Sequence, residues 1–176
     1  MSSLRAETAA LVRLADRDLK AMWRAIHAGA DTKEVLNDLL PALVVEYGAM
    51  GAAMAADWYD VQRDESDARG SWSAEPIEAD DRGAGALIGW ALSTATDDAG
   101  LAGLIGGGIQ RRIADHARET ITANSVNDPG ARGWVRVSSG SGCDWCEQYI
   151  DGEVRMVSGY DFPAHDNCNC SVVPSF

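Results

Sequence analysis

The sequence is short of positive charge, of long apolar runs and of cysteine and histidine, and each shortage excludes something. Fifteen Lys and Arg stand against 27 Asp and Glu, for a formal net charge of −12. Binding to nucleic acid needs cations on phosphates, so no specific nucleic-acid binding is expected. The only adjacent basic pair is Arg111-Arg112. No uninterrupted apolar run approaches the roughly 18 residues of a membrane span, so none is expected. The opening Met1-Ser2-Ser3-Leu4-Arg5 lacks the charged-then-apolar layout of a secretion signal, so export by that route is not expected. A chain of 176 residues suffices for one ordinary domain, or for a helical domain plus a small metal-stapled one.

The four cysteines are few but concentrated. Cys143-Asp144-Trp145-Cys146 is followed, after 18 intervening residues, by His165-Asp166-Asn167-Cys168-Asn169-Cys170. Thiolate and imidazole are the ligands zinc prefers, and C-x2-C puts two sulfurs on one metal. Cysteines clustered at this spacing beside a histidine read as metal ligands before disulfides. The candidates are Cys143, Cys146, His165, Cys168 and Cys170, five donors for the four places of a tetrahedral Zn²⁺. Cys143, Cys146 and His165 are expected to bind, with one or both of Cys168 and Cys170. If all four cysteines bind, His165 steps back from the metal. A filled four-ligand site is structural, whereas a catalytic one keeps a place for water.

The first 125 or so residues carry helical periodicity. Leu4, Leu11, Ala15, Leu19, Met22 and Ile26 form one apolar stripe, which Gly29 ends. Asp31 and Glu34 resemble a capping box opening a second helix. Pro41 should kink or split that helix. Its small-residue segment around Gly48, Gly51 and Ala52 reads as intramolecular packing. Residues 60–82 are acidic and rich in loop formers, an exposed connector that Trp72 and Ile77 could pin to the body or to a partner. Helix returns at 83–95 and again after Asp97 or Asp98, with Leu101, Ile105, Ile109, Ile113 and Ile121 as a buried stripe. Gly106-Gly107-Gly108 lacks the lysine and preceding strand of a phosphate loop, so a bend or a tight contact is expected there. His27 and His116 read as surface or packing residues. A boundary at Asn127-Asp128-Pro129-Gly130 separates a body of residues 1–128 from a module of residues 129–176. In the module, Trp134-Val135-Arg136-Val137 alternates like a strand, and Asp151-Gly152 suits a hairpin turn over 149–157. The fold class is therefore mainly α: a helical N-terminal body followed by a small β-rich, zinc-stapled C-terminal module. So small a module buries little core, and a metal would supply the missing stability.

Three enzyme readings fail on pattern. A zinc deaminase needs H-x-E before P-C-x-x-C; here the order is reversed, Asn167 stands in the glutamate's place, and Gly142 precedes Cys143. A thioredoxin-like C-x2-C needs βαβ alternation, which the helices upstream do not supply. A cysteine hydrolase could pair Cys143 or Cys146 with His165 or His116, but no glycine-framed nucleophile supports it. No catalytic residue is assigned.

The segment Trp134-Val135-Arg136-Val137, the Cys143–Cys146 knuckle, Gly152, and His165-Asp166-Asn167-Cys168-Asn169-Cys170 ending near Pro174 together resemble the C-terminal signature of MuF-type phage minor head proteins, especially actinobacteriophage versions with Arg-Val before the knuckle. The likeness is specific over about residues 130–176 and only architectural over the helices. The Asp-Asn after His165 departs from the pattern, where proline often follows the histidine, and leaves the ligand set open. The resemblance implies a structural minor capsid protein acting in head assembly at the portal, with the phage portal or major capsid protein as partner. It implies a place in the virion, inside the capsid or at the portal, and in the host cytoplasm during assembly. Some relatives are labelled capsid maturation proteases, and ejection into the host with the DNA is a further alternative. Some carry a toxin domain after the signature, which is not expected here.

Overall fold

The computed structural model describes residues 3–138, 140, 144–157 and 162–176. It is mainly helical with one small sheet: α1 (Leu4–His27), α2 (Thr32–Glu65), α3 (Ala84–Thr94), α4 (Asp98–Asn127), β1 (Gly133–Val137), α5 (Asp144–Glu147) and β2 (Ser171–Ser175). The long helices begin where short polar side chains cap them. Ser3, Asp31 and Asp97 accept from the amides of Ala6, Glu34 and Gly100, satisfying donors that a helix start leaves orphaned.

Helix α4 is the axis of the molecule: α1, α2 and α3 pack on it, and both strands reach it. Its stripe of Leu101, Ile105, Ile109 and Ile113 meets Leu11, Leu19, Leu36, Leu40, Val44, Leu87 and Ile88 in one apolar core. Further along, Ala117 and Ile121 join a second core with Leu4, Tyr59, Trp134, Phe162 and Val172. The C-terminal segment thus completes a core that the helices begin.

Pro41 does not split α2, which runs as one helix. Counted as a window rather than an uninterrupted run, α2 is long and apolar enough to cross a membrane, but half of that window is buried in the protein, as in a core helix. The connector is pinned as its aromatic suggested: Trp72 Nε1 donates to Asn124 Oδ1 at 3.3 Å, and Ile77 N donates to Thr120 Oγ1 at 3.4 Å. The end of α2 is tied to the end of α4 by a buried ion pair, Arg63 Nε to Asp128 Oδ2 at 2.8 Å, on which Tyr59 OH also donates at 3.2 Å. Burial and the Asp128 carboxylate push the Tyr59 phenol up.

One expectation changes, and one choice between two alternatives is made. Residues 149–157 form no hairpin. Asp151 Oδ1 accepts from Glu153 N at 2.9 Å, a local turn, and Arg155 instead forms a single bridge to Trp134. The true partner of β1 is β2, antiparallel, with Trp134 opposite Pro174 and Arg136 opposite Val172. The glycine run does not interrupt α4. A Cβ on Gly108 would sit 2.5 Å from Leu87 Cδ1, and one on Gly107 would sit 2.9 Å from Asn167 Nδ2. Of the bend or tight contact expected, tight contact is what Gly107 and Gly108 provide.

His116 is a buried core residue, 0% exposed. Its Nδ1 lies 2.8 Å from the Arg112 carbonyl, so Nδ1 carries the proton and Nε2 accepts from Asp80 N and Arg82 Nε. Burial, foremost, holds its pKa below the ordinary 6.5. The native protein therefore binds fewer protons than the unfolded chain just below 6.5. Stability is expected to be full above that pH and to fall as acid carries His116 through its lowered native value. Histidine NMR should show His116 titrating below 6.5; a midpoint at or above it refutes this.

The His116 ring sits against Gly48, where a Cβ would lie 2.6 Å from Cε1 and Nδ1. Gly48→Ala gains roughly 1 kcal/mol of helix propensity but overpacks a ring held by three hydrogen bonds, which costs about 1–3 kcal/mol. A net loss of Tm is expected. Gly89→Ala, with nothing within 4 Å, should instead raise Tm, by roughly 2–4 °C. Equal shifts in both variants would contradict the packing argument.

Candidate metal centre

The centre forms where α5 meets the loop before β2. Cys146, the buried residue of α5, points its Sγ at His165 Nε2, 3.2 Å away, and at Cys168 Sγ, 3.5 Å away. The three donor atoms all lie within 4.8 Å of one another. Two sulfurs at 3.5 Å are far outside the roughly 2.05 Å of a disulfide bond. With zinc at about 2.3 Å from sulfur and 2.0 Å from nitrogen, a tetrahedron spaces two sulfurs by roughly 3.8 Å and a sulfur and a nitrogen by roughly 3.5 Å. The observed spacings are within about 0.3 Å of both, so this set fits a tetrahedral ion with modest movement.

Local structure explains why these atoms converge. Cys168 N donates to the His165 carbonyl at 3.0 Å, closing a tight turn. Asn167 takes the left-handed position of that turn, φ 64°, which asparagine tolerates better than most residues. Asp166 and Asn167 are thus the central residues of this turn. His165 Nδ1 lies 2.6 Å from the Asp166 carbonyl. A carbonyl only accepts, so Nδ1 carries the hydrogen and Nε2 presents its lone pair toward the sulfurs, as a metal ligand must.

Two buried arginines hold the loop. Arg118 of α4 donates through Nη2 to the carbonyls of Cys168 (2.8 Å) and Cys170 (2.9 Å), through Nε to Cys170 O (3.1 Å), and through Nη1 to Asp115 (2.7 Å). Arg136 of β1 donates to the Pro163 carbonyl at 2.7 Å, lies 4.1 Å over the Phe162 ring and reaches within 4.0 Å of Cys168 Sγ. Its guanidinium places positive charge beside the sulfur. The Trp145 ring lies edge-on to that of His165, the centroids 5.4 Å apart.

Of the five candidates, then, Cys146, His165 and Cys168 come together. Cys170 is buried, but it stands outside that group of three and its carbonyl serves Arg118. Cys143 lies outside the described residues. The sequence reading missed Arg118 as a positioning residue, while the tight contact it allowed for the glycine run is, at Gly107, with Asn167 of this loop. The only signal for Arg118 was an arginine next to the apolar stripe, three residues after Asp115.

These observations define a class: a mainly helical chain whose C-terminal segment is folded onto its central helix around a Cys/His cluster that could hold a metal ion. The profile of the VG15 protein family matches residues 1–176, and the chain belongs to that family; it is a phage protein. No curated protein and no solved structure matches the chain.

Proposed function

We propose that this chain is a structural, virion-associated protein of a tailed phage, a minor head protein of the MuF type that acts in head assembly, and that its Cys/His cluster is a structural zinc staple. The observation that carries this reading is the convergence of Cys146, His165 and Cys168 in a chain matched from end to end by a phage protein family. Zinc would be held by these three and by Cys143 or Cys170. Its role would be to fix the C-terminal segment on α4, with the body of residues 1–128 and the module of residues 129–176 acting as one rigid piece. Working partners would be the portal or the major capsid protein, reached inside the capsid and, during assembly, in the host cytoplasm. The excess of carboxylates would keep the protein off packaged DNA.

Elemental analysis of the purified protein is expected to give about one zinc per chain, with release on chelation, and the protein is expected to bind purified portal or major capsid protein. Absence of both would sink the reading.

One distance favours a second reading, a Cys/His hydrolase of the maturation-protease kind. Cys146 Sγ and His165 Nε2 at 3.2 Å have the spacing of a nucleophile and its base. Against it, Cys146 is 2% exposed and shares its sulfur's surroundings with Cys168, so no substrate carbonyl has access. Cys146→Ser separates the two: a variant that stays folded and loses a peptidase activity supports catalysis, while one that loses metal and C-terminal structure supports the staple.

A further inference from the structure

A groove of about 440 Å³ lies between α1, α4 and the loop carrying Cys168 and Cys170. Its floor is apolar, built from Leu4, Val12, Leu19, Ile109, Ala114 and Ala117. It follows α1 from Leu4 to Leu19, roughly 22 Å at 1.5 Å per residue. Protein interiors close up to crystal-like density. Here small side chains face one another across two helices and leave open space as long as a four-turn helix.

The charge of the groove runs against that of the chain. In a protein of net charge −12, it is lined by Arg5, Arg13 and Arg118 and by one carboxylate, Asp16. Asp16 is engaged by Lys20 at 2.5 Å, and the donors of Arg118 are taken by Asp115 and the loop carbonyls. Arg5 and Arg13 form no ion pair among the described residues. Arg5 donates to the Ser138 carbonyl, while its Nε is buried without a partner. The two arginines sit eight positions apart on α1, roughly 12 Å along its axis. Arg13 is exposed and Arg5 half-buried, and carboxylates are the best partners of an accessible guanidinium.

We propose that this groove seats an amphipathic helix of another protein, its apolar face on the Leu4–Leu19 floor and two carboxylates about two turns apart on Arg5 and Arg13. A helix suits the site better than a strand, because the two walls are helices and offer no free backbone edge. The inference deepens the reading of the chain as a protein that works by binding other proteins, and names the surface and the chemistry it would use.

The test uses the full-length zinc-loaded protein and a labelled helical peptide of about fifteen residues, with leucines at helical spacing and two glutamates eight residues apart. Fluorescence anisotropy is expected to show saturable binding. It should weaken about tenfold in Arg13→Glu, in Arg5→Glu, and when the peptide glutamates are replaced by arginines. Zinc content and helical circular dichroism of each variant, unchanged, separate binding from folding. No binding by the wild-type protein, equal binding of both peptides, or binding unaffected by either substitution overturns the proposal. So does self-association that Arg13→Glu abolishes, which would make a second copy the occupant. Portal binding is scored in parallel. Peptide binding without portal or capsid binding sinks the assembly role alone, and portal binding indifferent to both arginines sinks the groove alone.

Discussion

Cys168→Ser is expected to free the C-terminal segment while leaving most helical structure in place. On the zinc-staple proposal the variant should bind no metal, become protease-sensitive after residue 130 and lose the near-ultraviolet signal of Trp134, which is 2% exposed in the fold. Magnitudes drive this. A structural zinc contributes on the order of 10 kcal/mol in small modules, comparable to the whole stability of an ordinary domain, about 5–15 kcal/mol. The segment has little to set against that loss: one two-stranded sheet, one short helix, and a shared core to which Trp134, Phe162 and Val172 contribute. The core of Leu11, Leu40, Ile88 and Ile109 contains none of the described residues of that segment, so helical circular dichroism should fall only modestly. Chelation of the wild-type protein should reproduce the variant. Cys170→Ser is the informative control, because Cys170 stands outside the group of three. One zinc per chain in Cys170→Ser would make Cys143 the fourth ligand. A Cys168→Ser protein that keeps one zinc and an unchanged Tm would refute the staple.

Much of this could be read from the chain and some could not, for identifiable reasons. The helices were legible because their apolar spacing and caps agree: Leu4, Leu11, Ala15, Leu19 and Met22 are all buried, and Asp31 and Asp97 do cap. Cys146, His165 and Cys168 were legible because ligand spacing reflects local turn geometry. The hairpin was misread because Asp151-Gly152 makes a turn without strands on both sides. The register belongs to Gly133–Val137 and Ser171–Ser175, whose paired residues lie 34 to 42 positions apart in the chain, and no local pattern announces such a pairing. His116 was left between a surface and a packing role, because periodicity places a residue on a helix face but does not say how many neighbours surround the helix. With α4 enclosed on nearly all sides, Asp115, His116, Arg118, Thr120 and Asn124 are buried as well. Asp115 is paired within α4 by Arg118, while His116, Arg118, Thr120 and Asn124 are satisfied by the connector or the C-terminal loop, partners that only the tertiary structure supplies.

The same logic makes Arg118 the residue whose loss should matter most outside the cluster itself. It is 4% exposed and spends its planar fork on three tasks: the Asp115 carboxylate, the Cys168 carbonyl and the Cys170 carbonyl. Arg118→Ala leaves two loop carbonyls short of donors. Asp115, 5% exposed at its side chain, keeps only the longer contact to Arg111 Nε at 3.5 Å. Breaking a buried pair from one side costs about 3–5 kcal/mol, roughly 10 °C in Tm for a chain of this size. Arg118→Lys should recover little, because an ammonium is a point charge and cannot serve three acceptors held in one plane. A purely structural defect would stop there. Because Arg118 fixes the backbone on both sides of Asn169, it also presets Cys168 for the metal, and such outer partners are typically worth about 10–100-fold in metal affinity. Zinc competition with a chromophoric chelator should therefore show weaker binding in Arg118→Ala than in Gly48→Ala, a variant of lowered stability whose substitution lies against His116 and away from the loop. If the two variants bind zinc equally well, Arg118 only supports the fold. If Arg118→Ala alone is weakened, the central helix organises the metal loop directly.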